Sequence, residues 1–301
     1  MALLVLNWNG AELLRRYLPS VIAAADASTV PARAYVVDNA STDDSREAVA
    51  AFPEVGWLPM AQNRKLVSYN DAARQIECQA FMVLNNDLQP PPDAVEKLWT
   101  PMRDDASVFA VGGLMRNSTT GEHESGPTAL RWEREWVVDP NALAAKDGVI
   151  DVGYVSGGAS LFRRSMFLEL GGFWPVMPSM YWEDVELGLR AWLHGWRSLY
   201  QPAAIFEHES GATTGQSISV ARRSFGVYRN RRLAHIAMLL DRDDLRDWIK
   251  GELRRSLRKP YYWPAVLSLL PRLPAALRQR RWLRERCGRP SVRELQARWF
   301  G

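Results

Sequence analysis

The sequence predicts an α/β fold, a mixed and mainly parallel sheet flanked by helices, followed by a basic helical C-terminal extension. Three observations lead there. Short apolar runs of strand length alternate with stretches of helical periodicity through the first half of the chain. Several of those runs end on polar residues, Asn7, Asp38 and Asp87 among them, which marks the edge where open α/β sheets bind ligands. Charge also divides the chain: residues 1–217 hold 17 Lys and Arg against 27 Asp and Glu, and residues 218–301 hold 21 against 7. The expected units are therefore 1–217, an α/β domain, and 218–301, an extension with a different partner.

Each element follows from its residues. Residues 2–6 are an unbroken apolar run, the mark of a buried strand. Leu13, Leu14, Tyr17, Leu18, Val21 and Ile22 then recur at helical spacing over 11–25. A second strand over 34–37 ends on Asp38-Asn39, and Ser41-Thr42-Asp43-Asp44 supplies helix-start chemistry. A third short strand is read over 55–60, a helix over 68–78, and a fourth strand over 81–84 that ends on Asn85-Asn86-Asp87. Pro90-Pro91-Pro92-Asp93 opens another helix, and residues 107–111 return as a strand. Residues 114–150, polar and rich in Glu and Trp, read as a long loop, either functional or flexible. A strand over 152–162 and a helix over 183–194 complete the first unit.

Composition narrows the function classes. At 301 residues and 47% apolar, the chain has ample material for a core, which excludes global disorder. Two distant cysteines, Cys78 and Cys287, exclude a disulfide framework and a thiolate metal site, and suit a reducing cytoplasm. Met1 runs straight into the apolar stretch with no basic segment before it, so no secretory signal is expected. No run of about 18 apolar residues exists, so no spanning helix is expected either.

Three places carry candidate chemistry. Asp87 at a strand end can hold a hard divalent cation that grips diphosphate oxygens, although Asn and Asp also serve plain strand-end turns. Glu183-Asp184 opens a helix, where acidic residues complement the dipole whatever the function. Beside Tyr181 and Trp182, desolvation would also raise such a carboxylate's pKa toward general-base duty. His208 lies between Glu207 and Glu209 and is one of only four histidines, structural or ligating.

Together these elements resemble the family 2 glycosyltransferases of the GT-A fold, closest to a bacterial rhamnosyltransferase-like branch, over about residues 2–230. Leu6-Asn7-Trp8-Asn9-Gly10 resembles the opening strand and turn, and Val36-Val37-Asp38-Asn39-Ala40-Ser41-Thr42-Asp43 the nucleotide-binding segment. Leu84-Asn85-Asn86-Asp87 stands at the metal motif, and Ser156-Gly157-Gly158-Ala159 at a small-residue segment beside sugar and acceptor. Gly171-Gly172-Phe173, followed by Met180-Tyr181-Trp182-Glu183-Asp184-Val185-Glu186-Leu187, is similar to the block that bears the base, and Arg229-Asn230-Arg231 falls inside the resemblance. The resemblance implies an inverting transfer from a nucleoside-diphosphate sugar, dTDP- or UDP-linked, to a glycan or lipid-linked acceptor. It implies Asp184 as base with Glu183 in support; Asn7, Asn9, Asp38, Asn39, Asn63, Lys65, Asn86 and Asp87 around the donor; and Gly157, Gly158 and Trp182 toward the acceptor. Asp87 and His208 would hold Mg²⁺ or Mn²⁺.

Two departures stand out. Asn63-Arg64-Lys65-Leu66 replaces the usual Asn-x-Gly-Phe, and Trp174-Pro175 replaces an acidic continuation after Gly-Gly-Phe. Lys65 in place of glycine either adds a phosphate contact or disturbs donor binding. A sugar nucleotidyltransferase would carry a Gly-rich basic loop after the first strand, and Asn7-Trp8-Asn9-Gly10 is not one; a non-catalytic sugar-nucleotide binder stays open. The basic extension interleaves its cations with Trp248, Tyr261, Tyr262, Trp263 and Trp282. That composition suits solvated helices or a peripheral site on the inner face of a bacterial cytoplasmic membrane, and no nucleic-acid motif accompanies it.

Overall fold

The computed structural model describes residues 1–127, 129–133, 135–139, 148–177, 181–209, 220–258 and 263–300. Met180, Tyr261, Tyr262, the 217/218 boundary and part of the 114–150 segment lie outside the described residues. β1 (Ala2–Asn7) runs between β2 (Arg33–Asp38) and β4 (Ala80–Asn85), parallel to both, with β3 (Gly56–Pro59) parallel to β2 at the edge. Alternate residues of β1 enter opposite cores, Leu3 and Val5 on one face and Ala2 and Leu4 on the other. That double burial is why its sequence is apolar without alternation.

Helices cover both faces. α1 (Ala11–Asp26), α2 (Ser45–Ala50) and α4 (Ala94–Asp104) pack Leu14, Leu18, Val49, Leu98 and Met102 on the first. On the second, α3 (Ser68–Gln75), α5 (Arg164–Glu169) and α6 (Glu183–Leu193) supply Tyr69, Phe167 and Leu187. The 68–78 helix ends early because Ile76 turns extended.

Beyond β4 the sheet reverses. β11 (Ala159–Arg163) lies antiparallel between β4 and β6 (Val108–Asn117), and β12 (Arg197–His208) runs parallel along β6. β5 (Leu88–Gln89) and β10 (Ile150–Val152) pair with β12, and β7 (His123–Ser125) pairs with β6. The expected strand over 152–162 is thus two strands in different places, because the chain crosses from β12 to a slot between β4 and β6. The 114–150 loop is corrected too. β6 continues to Asn117 alongside β12, and β8 (Ala129–Trp132) with β9 (Trp136–Asp139) forms a separate hairpin.

The extension comprises α7 (Val220–Met238), α8 (Arg242–Arg258), α9 (Trp263–Leu267), α10 (Leu273–Cys287) and α11 (Val292–Phe300). Its apolar face packs on the outer side of α6, where Leu233, Ala237, Trp248, Leu283 and Leu295 meet Trp182, Val185 and Trp192. Trp248 is therefore buried and Trp282 half-buried, rather than both facing outward. The exposed apolar side chains are instead Ile249, Leu253 and Leu257, spaced along one stripe of α8, with Trp263, Leu267, Leu270 and Leu277.

Candidate active site

The ends of β1, β2 and β4 lie side by side, Asn7 opposite Asp38 and Leu6 opposite Asn85. One amide ties them together. Asn7 Nδ2 donates to Asp38 Oδ1 (3.0 Å), Ser41 Oγ (3.2 Å) and Ser45 Oγ (2.9 Å), while Asn7 Oδ1 accepts from Asn86 Nδ2 (2.8 Å). Asp38 Oδ2 also accepts from Ser41 N (2.9 Å), and Asn9 Oδ1 accepts from Thr42 N (2.8 Å). A carboxylate has about four lone-pair sites, so Asp38 keeps acceptor capacity for a ligand N–H. Asn39 reaches the next segment: its Oδ1 accepts from Ser68 Oγ and from Arg64 N (3.4 Å), and its Nδ2 donates to the Lys65 carbonyl (3.5 Å). Asn63 Oδ1 caps Lys65 N at 3.0 Å.

At the other edge, β5 pairs with β12 so that Leu88 faces His208, which brings the adjoining Asp87 against the imidazole. His208 Nε2 lies 3.3 Å from Asp87 Oδ1, and Nδ1 contacts Glu124 Oε2. Glu124 belongs to β7, inside the segment read as a loop, so no periodicity pointed to it. The Asp87 and Glu124 carboxylates push His208 up to about 9 against the opposing effect of burial. Among the described residues no group of three His, Cys, Asp or Glu side chains could cage a metal. Asp87 and His208 are nonetheless a suitable pair of protein ligands for a hard cation completed by phosphate oxygens, with Glu124 orienting the imidazole from behind.

The third group is held by strain and by burial. Tyr181 (φ 84°) and Trp182 (φ 76°) both adopt left-handed backbone before α6, an arrangement that costs about 1–3 kcal/mol per residue. Asn230 Nδ2, on α7, donates to the Tyr181 carbonyl at 2.9 Å and holds the turn. Trp182 itself is buried against Arg231 and His235, and His235 stacks flat on Trp248, so its ring belongs to the seam with the extension. Burial pushes Glu183 up to about 8, with Asp184 adding to it, and burial pushes Asp184 up to about 6 against a stabilising bond from Val185 N. Asn230→Ala is expected to lower kcat roughly tenfold with nucleotide affinity unchanged, as checked by steady-state rates beside calorimetric titration.

Nearly two turns of α6 further on, Arg190 locks the Gly-Gly-Phe segment. It donates to the Leu170 (2.6 Å) and Gly172 (2.7 Å) carbonyls and is paired with Glu186, both side chains being almost fully buried. Asn70 clasps the Phe173 backbone in both directions at 2.8 Å. Gly172 has φ 70°, and a Cβ there would lie 2.2 Å from Asn70 Oδ1, so glycine is required. A Cβ on Gly157 would lie 2.6 Å from Leu66, and one on Gly158 2.8 Å from Asn85. Between these segments opens a cavity of about 190 Å³ lined by Asn63, Arg64, Lys65, Trp174, Met177 and Glu183 among others.

The family model described as Glycosyl transferase family 2 matches residues 3–171, more than half of the chain. The chain belongs to glycosyl transferase family 2. A relative in this family, the N-acetylglucosaminyl-diphospho-decaprenol L-rhamnosyltransferase of Mycobacterium tuberculosis, is 27% identical over 246 residues, 72% of this chain and 78% of its own. Among solved structures, GalNAc-T7 with UDP, GalNAc and Mn²⁺ superposes with a TM-score of 0.68 at 16% identity, over 98% of this chain. The chain spans 55% of the length of that structure's chain. The mannosyltransferase PcManGT of Pyrobaculum calidifontis, with GDP-Man and Mn²⁺, superposes at 0.55 with 17% identity over 91% of this chain and 75% of its own. These likenesses establish the GT-A fold, and family membership makes the protein a glycosyltransferase.

Within that family frame, the predicted residues fall into three groups. Asn7, Asn9, Asp38, Asn39 and Asn86 form one hydrogen-bonded network, and Asp87 meets His208. Asn63, Lys65 and Glu183 share the cavity, and Asp184, Gly157, Gly158 and Trp182 stand outside its lining. Glu124 and Arg190 are the residues that sequence reasoning missed.

Proposed function

We propose that the protein is an inverting glycosyltransferase that moves a sugar, rhamnose first among the candidates, from a dTDP- or UDP-linked donor to a glycan or lipid-linked acceptor in cell-surface polysaccharide synthesis. The observation that carries this reading is the placement of two carboxylate centres on separate elements, Asp87 beside His208 and Glu183-Asp184 on α6, with a cavity at the second. In a single displacement the acceptor oxygen attacks the anomeric carbon as the bond to the diphosphate breaks on the opposite face. Asp184 takes the hydroxyl proton, and the nucleoside diphosphate departs with the bonding pair. Asp38, with Asn7, Asn9, Asn39, Asn63 and Asn86 around it, binds the nucleotide. Asp87 and His208 would hold Mg²⁺ or Mn²⁺, which supplies charge neutralisation at the leaving diphosphate. Gly157 and Gly158 shape the acceptor side, and Trp182 sets the turn that presents the carboxylates.

The lipid-linked acceptor is supported by the relative whose name specifies a diphospho-decaprenol substrate. Among the described residues no helix is long and apolar enough to cross a membrane. The stripe of Ile249, Leu253 and Leu257, flanked by Lys250, Arg254 and Arg258, supports residues 218–301 as a peripheral contact with anionic lipid on the cytoplasmic face, attached to the 1–217 catalytic domain.

A thermal-shift series with dTDP-, UDP- and GDP-sugars, with and without Mn²⁺, tests the donor side. At about one hundred times Kd, one nucleotide class is expected to stabilise the protein by about 2.7 kcal/mol. Asp87→Asn is expected to lose the Mn²⁺-dependent part only. Stabilisation by none of the three would sink the reading.

A further inference from the structure

We propose that the cavity between Lys65 and Glu183 is a subsite for a phosphate-bearing acceptor: a sugar carried on a phosphate or diphosphate, with the Lys65 ammonium as its anion contact. This rests on the reading above, in which Asp184, with Glu183 in support, deprotonates the acceptor.

Three observations carry it. The two departures from the family pattern, Lys65 and Trp174-Pro175, are 109 residues apart in sequence (65 to 174), and the fold brings both to the lining of this one cavity. Lys65 is held at φ 55°, where a glycine would be unstrained, so the chain accepts a conformational cost to place an ammonium there. Its neighbour Arg64 is engaged with Asp71 at 2.8 Å, whereas among the described residues the Lys65 ammonium makes no ion pair or hydrogen bond. A cation that makes no close ion pair, its charge acting on the neighbouring Glu183 carboxyl, is suited to an anionic ligand.

The side of the site decides which ligand. Attacking and leaving oxygens occupy opposite faces of the anomeric carbon, and the donor diphosphate belongs with Asp87 and His208. Neither of those residues lines the cavity; Glu183 does, and of the nucleotide group only Asn63 reaches it, on the loop that carries Lys65. Lys65 therefore stands on the nucleophile's side, where a neutral acceptor would leave its charge unmatched and a phosphate would match it. At about 190 Å³ the cavity is smaller than the roughly 300–1,000 Å³ of pockets that enclose a whole ligand, which suits part of an acceptor. Trp174, Pro175 and Met177 give it an apolar wall for the group adjoining the phosphate.

The test uses the full chain with Lys65→Met and Lys65→Arg, each checked for an unchanged melting temperature. The probes are a short-chain alkyl diphospho-N-acetylglucosamine, the matching neutral alkyl glycoside, and the free nucleoside diphosphate, with binding measured by calorimetry and transfer by nucleotide release. Lys65→Met is expected to weaken the diphosphate probe roughly ten- to a hundredfold in Kd and KM, with the neutral glycoside and the nucleoside diphosphate unmoved. Lys65→Arg should restore most of the loss. A parallel weakening of the nucleoside diphosphate would assign Lys65 to the donor and overturn the proposal, as would equal affinity of wild type and Lys65→Met for the diphosphate probe. If the probe binds through Lys65 yet no acceptor of either kind is glycosylated, the subsite stands and the proposed reaction falls.

Discussion

Asp184→Asn is expected to slow sugar transfer by about 10²–10⁴-fold while nucleotide-sugar affinity stays at the wild-type value. The amide keeps the shape of the carboxyl and its bond from Val185 N but cannot take a proton. Burial gives the prediction a pH signature. With Asp184 pushed up to about 6 and Glu183 to about 8, the neighbours titrate as a pair, and the first proton to leave is assigned to Asp184. A base must be deprotonated to act, so kcat/KM should rise with pH through a limb near 6, not near the ordinary carboxylate value of about 4. Above that limb Asp184 is ionised beside a still-protonated Glu183. Glu183→Gln should therefore be the milder change. A larger loss in Glu183→Gln than in Asp184→Asn would transfer the role of base to Glu183, the member of the pair that lines the cavity.

Glu186→Ala is expected to destabilise the protein by about 3–5 kcal/mol in urea unfolding, because it strands the Arg190 guanidinium in a buried site. The exposed pair Glu12–Arg15 is the control, and Glu12→Ala should cost less than about 1 kcal/mol. Replacing both members, as Glu186→Met with Arg190→Leu, should recover only part of the loss. Arg190 also satisfies the Leu170 and Gly172 carbonyls, which no hydrocarbon can do. A cost below about 1 kcal/mol for Glu186→Ala would mean that the Leu170 and Gly172 carbonyls satisfy the buried Arg190 without Glu186.

The parts of this molecule legible in sequence are those where local pattern and tertiary role agree. β1, β2 and β4 are buried on both faces and read as plain apolar runs, α1 carries one-sided periodicity, and α6 is apolar on both sides because it is buried between the sheet and the C-terminal helices. The rest was hidden because distant contacts override local preference. β6 passes through Gly112-Gly113, a weak strand sequence in isolation. Its glycines admit the Phe206 ring and Val155, which a Cβ would strike. β12 contains Pro202 and an irregularity between Gln201 and Ile205, which breaks its alternation. Asp38, Asp87 and the Glu183-Asp184 pair were legible because charged residues closing apolar runs are conspicuous. Glu124 was not, since its role comes from β7 lying beside β6, and Arg190 looked like one more basic residue on a helix.

The Asn7 amide has a thermodynamic consequence. It bonds at once to Asp38, on the proposed nucleotide side, and to Asn86, the neighbour of Asp87 on the proposed cation side. A ligand that orders either end removes conformational freedom at the other, so the two occupancies are linked. By linkage the effect is reciprocal: whatever factor a divalent ion adds to nucleotide affinity, the nucleotide adds to affinity for the ion. With Asn7 shortened to alanine that common factor should fall toward one, and the two sites would fill independently.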